Sequence, residues 1–204
     1  MAIYNDLLNL HGPQGWWPLL KTESGKIISW YHKQNYSYPK TTNQQYEICL
    51  GAILTQNTSW TNVEKALTNL YKYKSLHPEK ISKLNETELS SLIKSAGYYN
   101  QKAKKLNLFT DYFLKLKGKV PTRNDLINIW GIGPETADSM LLYAYKVPTF
   151  LIDAYTKRLF VKLGLVKPAI TYHELKNFFE ENLKNDLIIF QEFHALIVKQ
   201  AKIK

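Results

Sequence analysis

Two groups of residues in this 204-residue chain have types and spacings that could do chemistry. The first is a lone acid. Phe150-Leu151-Ile152 is a short apolar run that carries Asp153 towards an interior, directly before the basic helical stretch 155–163. An acid at a helix start is ordinarily an N-cap that accepts from amides of the first turn. Burial argues for more, because a buried carboxylate is costly unless something compensates it. Set against a sugar, it can stabilise the positive charge that develops at an anomeric carbon, as in glycoside cleavage. The second group is Trp130-Gly131-Ile132-Gly133-Pro134. Two glycines around one aliphatic residue permit a sharp turn with its amides outward. Pro134 can then open a helix whose first N–H groups are unpaired and suit a phosphate oxygen. A plain helix–helix turn explains this fragment equally well.

Both groups need a scaffold, and the periodicity of the chain supplies helices. Residues 1–10 have apolar positions at helical spacing, and His11-Gly12-Pro13 ends them. Trp16 and Trp17 follow, between Gly15 and Pro18. Loop tryptophans ordinarily pack on a core; the functional alternative is the wall of a pocket for a flat ligand. Residues 22–41 are expected as loop with at most a short helix. Tyr46, Cys49, Leu50, Ile53 and Leu54 share one face, which predicts a buried helix over 42–55. It stops at Gln56-Asn57-Thr58-Ser59, where Ser59 can cap the next helix, carrying Trp60 and Val63. Gln56 either caps the first helix or reaches out to a ligand, with equal weight.

Short helices are expected after Pro78 and after the Asn85 cap, leading to the aromatic turn Gly97-Tyr98-Tyr99. The next helix, 102–117, buries Ala103, Leu106, Phe109 and Phe113 and leaves Lys102, Lys104, Lys105, Lys115 and Lys117 outside. Such faces are most often only solvated, but beside an aromatic turn they could grip phosphates. Thr122 with Asp125 forms a partial capping box, and helices over 172–183 and 186–202 complete the chain. No strand-like alternation and no internal repeat emerge, so the expectation is an all-α protein of roughly ten helices.

Bulk composition narrows the partners. Twenty-seven Lys and Arg against seventeen Asp and Glu leave a formal +10, which favours a polyanion, although a lysine-rich surface gives the same number. Cys49 is the single cysteine, so disulfides within the chain and four-cysteine metal sites are excluded. No apolar stretch has the length of a membrane span and the start lacks a secretory signal, which leads us to expect a soluble, cytoplasmic protein.

Four segments taken together carry a resemblance. Leu54-Thr55-Gln56-Asn57-Thr58, Gly97 through Ala103, Gly131-Ile132-Gly133-Pro134-Glu135-Thr136-Ala137 and Ile152-Asp153 through Arg158 resemble, in order, the signatures of the helix-hairpin-helix (HhH-GPD) DNA glycosylases related to endonuclease III. The resemblance implies an all-α, two-domain fold. Residues 43–147 would form a six-helix barrel carrying the hairpin at the cleft, and residues 1–42 and 148–204 a second domain from both chain ends. The partner would be double-stranded DNA whose damaged nucleotide is flipped into the cleft. Asp153 matches the family's essential aspartate, Gln56 the residue that fills the gap in the stack, and Tyr98 the wedge opposite it. Gly131, Ile132 and Gly133 match the phosphate-holding hairpin, with Lys102 and Lys157 as nearby cations. The family's hairpin often holds Na+ or K+ on main-chain carbonyls, here those of Ile127, Ile129 and Ile132.

Departures from the family pattern are equally informative. Bifunctional members attack the sugar with a lysine where this chain has Glu135, and a carboxylate cannot form an imine. The cysteine quartet that binds an iron–sulfur cluster is missing, so no such cofactor is expected. Trp16-Trp17-Pro18 together with Gln56 through Trp60 resembles the 3-methyladenine DNA glycosylase branch, which lacks both features. A base pocket of Trp16, Trp17, Pro18, Trp60 and Glu135 would suit a cationic alkylated purine, already a good leaving group. Each cation–π contact is worth about 0.5–2 kcal/mol. The rivals are removal of an oxidised pyrimidine or a mismatched uracil or thymine, a non-catalytic module that binds damaged DNA, and a plain helical scaffold. A monomer suits one lesion per encounter.

Overall fold

Side-chain caps divide the chain into helices. Thr41, Asn85, Thr122, Asp153, Thr171 and Asp186 each accept from a first-turn amide of the helix that follows, replacing partners that helix starts otherwise lack. The computed structural model describes residues 1–203. Its helices are α1 (Ala2–His11), α2 (Thr42–Leu54), α3 (Trp60–Lys72), α4 (Pro78–Ile81), α5 (Glu86–Leu92) and α6 (Tyr99–Leu116), followed by α7 (Arg123–Ile127), α8 (Pro134–Ser139), α9 (Ala154–Lys162), α10 (Tyr172–Asn182) and α11 (Leu187–Ala201). A 3-10 turn, Lys94–Ala96, precedes α6, and a π turn, Met140–Ala144, continues α8.

α2 is the central element, buried continuously from Tyr46 to Leu54, as an all-round apolar helix must be. α6 packs on it through Phe109 and Phe113 against Tyr46, whose hydroxyl shares a 2.5 Å hydrogen bond with Thr110. A second cluster centres on Phe150, stacked on Phe179 at 4.0 Å, with Phe160 and Phe193 around them. The two chain ends meet: α1 packs along α11, His11 Nε2 lies 2.6 Å from Gln200 Oε1, and the Gln14 amide donates to Glu192. Fully buried Asp138 accepts from Arg123 and from the Tyr172 hydroxyl, which ties α8 to α7 and α10.

One sequence expectation fails here. The described residues are mostly helical, but 19–30 form an antiparallel β-ribbon, β1 (Leu19–Glu23) and β2 (Lys26–Trp30), with Leu19 opposite Trp30. Ser24 and Gly25 both have positive φ, 48° and 77°, the geometry of a mirror-image two-residue turn that matches strand twist. The strands escaped notice because Lys21, Thr22, Glu23, Lys26 and Ser29 blur the alternation of a ribbon that is mostly half-exposed. Their anchors are distant in sequence: Leu19 is buried and the Leu20 amide donates to Glu47 of α2 at 2.6 Å. Among the described residues no helix is long and apolar enough to cross a membrane.

Candidate functional site

Asp153 takes the N-cap role weighed for it and keeps its second oxygen for another partner. Its Oδ1 caps α9, accepting from the Thr156 amide at 2.7 Å and the Thr156 hydroxyl at 2.8 Å. Its Oδ2 lies 3.4 Å from His194 Nε2. Burial alone would push this carboxyl up, but the hydrogen bond and charge of His194, together with Thr156, outweigh it and hold the group below the usual carboxylate range. His194 sits on the buried face of α11, and its Nδ1 lies 2.8 Å from the Tyr143 hydroxyl. That hydroxyl donates to the Gln191 carbonyl at 3.0 Å. With its one proton committed there, the Tyr143 oxygen accepts from Nδ1–H, while Nε2 faces a carboxylate. Both ring nitrogens therefore lie against oxygens, one of the Tyr143 hydroxyl and one of the Asp153 carboxylate.

Tyr143 comes from the π turn and links the acid to an aromatic wall. Its ring lies 5.6 Å from Trp17, and Trp16, Trp17 and Trp60 pack on one another at 4.7–5.4 Å. The predicted cluster thus exists, but not as a flat slot: interplanar angles of 54°, 62° and 89° set edges against faces. Trp17 and Pro18 are buried, and the Trp17 indole lies where a Cβ on Gly51 would come within 3.0 Å, so this ring serves as packing on α2. Glu135, in the first turn of α8, is exposed. Its carboxyl is nonetheless raised, by desolvation first and then by the charge of Asp153, with His194 acting in the opposite sense. The structure therefore brings Glu135, Asp153 and His194 into electrostatic contact.

The glycine hairpin stands beside them. Gly131 has φ 84°, and a Cβ there would meet the Lys105 side chain at 2.4 Å. The Ile132 amide closes the turn onto Ile129 O at 3.0 Å, and Pro134 opens α8 with no side-chain cap before it. Gln56 neither caps α2 nor points freely outward. Its Nε2 donates to Gly131 O and Thr136 Oγ1, and its Oε1 accepts from Lys105 at 2.5 Å. Tyr98 is 65% exposed and left-handed, φ 46°, at the start of α6. Trp130 is likewise exposed, with the Lys104 ammonium 4.8 Å from its ring.

Two expected outer cations are placed otherwise. Lys102 is only 2% exposed, because α6 starts at Tyr99 and places that residue inward beside Ala103 and Leu106; its ammonium donates to Leu54 O and Ala96 O. Lys157 is half-buried and donates to Ile170 O at 2.7 Å. Sequence reasoning missed His194 and Tyr143. The available signal was a histidine amid Phe193, Ala195, Leu196 and Ile197, an unsolvated position that calls for a polar partner.

Residues 50–185 match the HhH-GPD superfamily of base excision DNA repair proteins. A protein of Methanocaldococcus jannaschii with the provisional name DNA repair glycosylase MJ1434 is 40% identical over 98% of this chain and 86% of its own length. Endonuclease III of Thermotoga maritima is 31% identical over 68% of this chain and 67% of its own. The H. pylori 3-methyladenine DNA glycosylase MagIII, solved with bound 1,N6-ethenoadenine, shares the fold with a TM-score of 0.71 at 24% identity, covering 100% of this chain and 98% of that one.

Proposed function

Because the chain belongs to the HhH-GPD superfamily of base excision DNA repair proteins, as a DNA glycosylase of the endonuclease III-like group, we propose that it hydrolytically removes alkylated purines such as 3-methyladenine from duplex DNA without cutting the strand. The observation that carries this reading is the Asp153 carboxylate, held ionised by Thr156 and His194 beside a glutamate at the position where a lyase needs its lysine. In this reading residues 43–147 form one lobe of the DNA-binding cleft and the two chain ends the other.

The flipped nucleotide presents its anomeric carbon to Asp153 Oδ2. As the bond to the base breaks, its electron pair leaves with the base, and the carboxylate stabilises the cationic sugar until water adds there and loses a proton. His194 keeps Asp153 in the anionic form. A cationic alkylated purine already leaves readily, so recognition can rest on the aromatic wall of Trp16 and Trp60 and on the negative potential of Glu135. Hairpin amides at Gly131 and Gly133 would hold the adjacent phosphate. The hairpin also suits a monovalent ion, since no backbone amide among the described residues donates to the carbonyls of Ile127 or Ile132. Na+ or K+ held there with the Ile129 carbonyl would add positive charge beside the phosphate.

A second reading, removal of a neutral base such as uracil, thymine or an oxidised pyrimidine, is favoured by one observation. The buried indole N–H of Trp16 has no acceptor, and an exocyclic base oxygen would supply one. The deciding experiment offers alkylated, uracil-containing and oxidised duplexes side by side, with borohydride present and strand breaks scored before and after alkali. Release of 3-methyladenine with alkali-dependent breaks and no trapped adduct supports the proposal. Release of the neutral bases alone transfers the assignment to the second reading, and an adduct removes the monofunctional one.

A further inference from the structure

We propose that Lys102 and Lys105 are positioning residues that hold the three DNA-facing loops in one register, rather than cations that grip phosphates themselves. This rests on the reading of Gln56, Tyr98 and the glycine hairpin as the DNA-facing elements. Lys102 Nζ donates to Leu54 O and to Ala96 O, both at 2.8 Å. Leu54 ends α2 and Ala96 ends the 3-10 turn, so both carbonyls lie at helix C-termini, where oxygens lack amide partners and the end dipole favours a cation. Gln56 lies two residues beyond the first carbonyl and Tyr98 two beyond the second. One buried ammonium thus sets the spacing between the gap-filling side chain and the wedge.

Lys105, one turn along α6, completes the arrangement. It donates to Gln56 Oε1, and its methylene stem lies against Gly131, where glycine leaves room for it. Gln56 in turn donates to Gly131 O and Thr136 Oγ1. The α2 tip, the turn before α6 and the hairpin therefore converge on two lysines three residues apart. Between them opens a polar depression of about 160 Å³ lined by Gln56, Asn57, Tyr98, Gln101 and the two lysines.

A pH signature accompanies this geometry. Burial, and then the charge of Lys105, pulls Lys102 down to about 8, and burial also lowers Lys105. The α2 tip presents neutral Gln56 and Asn57, the 3-10 turn presents Lys94, which is exposed, and the segment leading into α6 presents the Tyr98 phenol. The charged ammonium is the form that holds both carbonyls, so the loop register, and with it insertion at the gap, is lost as pH rises through about 8.

The test uses the full chain and its Lys102→Met and Lys105→Met variants on two duplexes, one with 2-aminopurine opposite an abasic analogue for insertion and one carrying the alkylated purine for base release. The fluorophore reports insertion at the gap independently of base release. Positioning predicts binding with an unchanged salt slope, loss of the insertion signal, base release at saturating DNA slower by about tenfold, and loss of the inflection near pH 8 in Lys102→Met. A salt slope shallower by about one for each lysine removed would assign them to phosphates and overturn the proposal. So would a parental insertion signal in both variants. Should Lys102→Met fail to fold, the part-buried Lys105 decides through the same readouts. If the parent protein inserts but releases no base, the catalytic reading fails while this one stands.

Discussion

The hairpin face and the wall raised by the two chain ends meet at Asp153, yet they are built by different means. On the hairpin face the chemistry is largely backbone: glycine at φ 84°, a proline-started helix and carbonyls held by Gln56 and Lys102. At the wall the chemistry is side chains made useful by burial. His194, Tyr143 and Asp153 acquire their roles only because α11 returns against the π turn, and Glu192 fastens the N-terminal loop to the same helix. Backbone geometry needs particular residues at fixed spacing, whereas a desolvated side chain needs only a fold around it. The first should govern how DNA is held, the second whether the bond breaks.

The largest expected effect falls where the two regions meet. Asp153→Asn keeps an acceptor for the Thr156 amide but removes the charge, and base release should fall by about 10²–10³ with DNA binding retained or tighter. Parental release by this variant, measured in single turnover, would sink the catalytic assignment. His194→Asn separates the wall from the hairpin more cleanly. Without the histidine, the remaining influences on Asp153 are burial, which raises it, and Thr156, which lowers it. The acid limb of the pH–rate profile should then move to higher pH, with release at neutral pH slower by about tenfold and affinity unchanged. An unshifted limb would mean that the 3.4 Å contact does not set the state of Asp153.

The same contrast explains what could be read from the sequence. Helix positions were legible from periodicity and caps: the cap at Asn85 and the box at Thr122 form as their residue types require. The family resemblance on the hairpin and the Asp153 segment is upheld by the match over 50–185. Lys102 misled because a lysine at a polar-looking helix start is ordinarily solvated, and only the end of α2 and the 3-10 turn, brought together by the fold, show two carbonyls waiting for an ammonium. The β-ribbon and His194 were illegible for one reason. Each depends on a partner far along the chain, Glu47 for Leu20 and Asp153 for His194, and no local pattern records such a pairing.

An intermediate effect is expected on the hairpin side. Gly131→Ala forces a side chain into a left-handed backbone and against the Lys105 stem. The combined strain is about 1–3 kcal/mol, and relaxing it must shift the hairpin amides proposed to hold the phosphate. Affinity for undamaged and damaged duplex should fall together, by about tenfold, while release from the saturated complex changes less. A loss confined to release would show that the hairpin also shapes the catalytic pocket and would blur the division drawn here.

The smallest effect tests whether the chain-end wall includes parts that serve folding alone. Glu47 is buried in α2, and its hydrogen bond among the described residues is the one from the Leu20 amide. Burial pushes its carboxyl from 4.5 up to about 8, against that hydrogen bond. A folded-state pKa above the unfolded one means that the neutral acid is what the fold prefers. Stability is therefore whole below the unfolded value and erodes as pH rises towards 8. Glu47→Gln keeps the acceptor and cannot ionise, so parent and variant should melt alike near pH 4 and diverge above it. The variant should be more stable by about 1–2 kcal/mol at pH 8.5, with base release per folded molecule unchanged. A variant less stable at that pH would show that the carboxylate is compensated in the fold. A change in release would show instead that the β-ribbon, through Trp17, reaches the chemistry at Asp153.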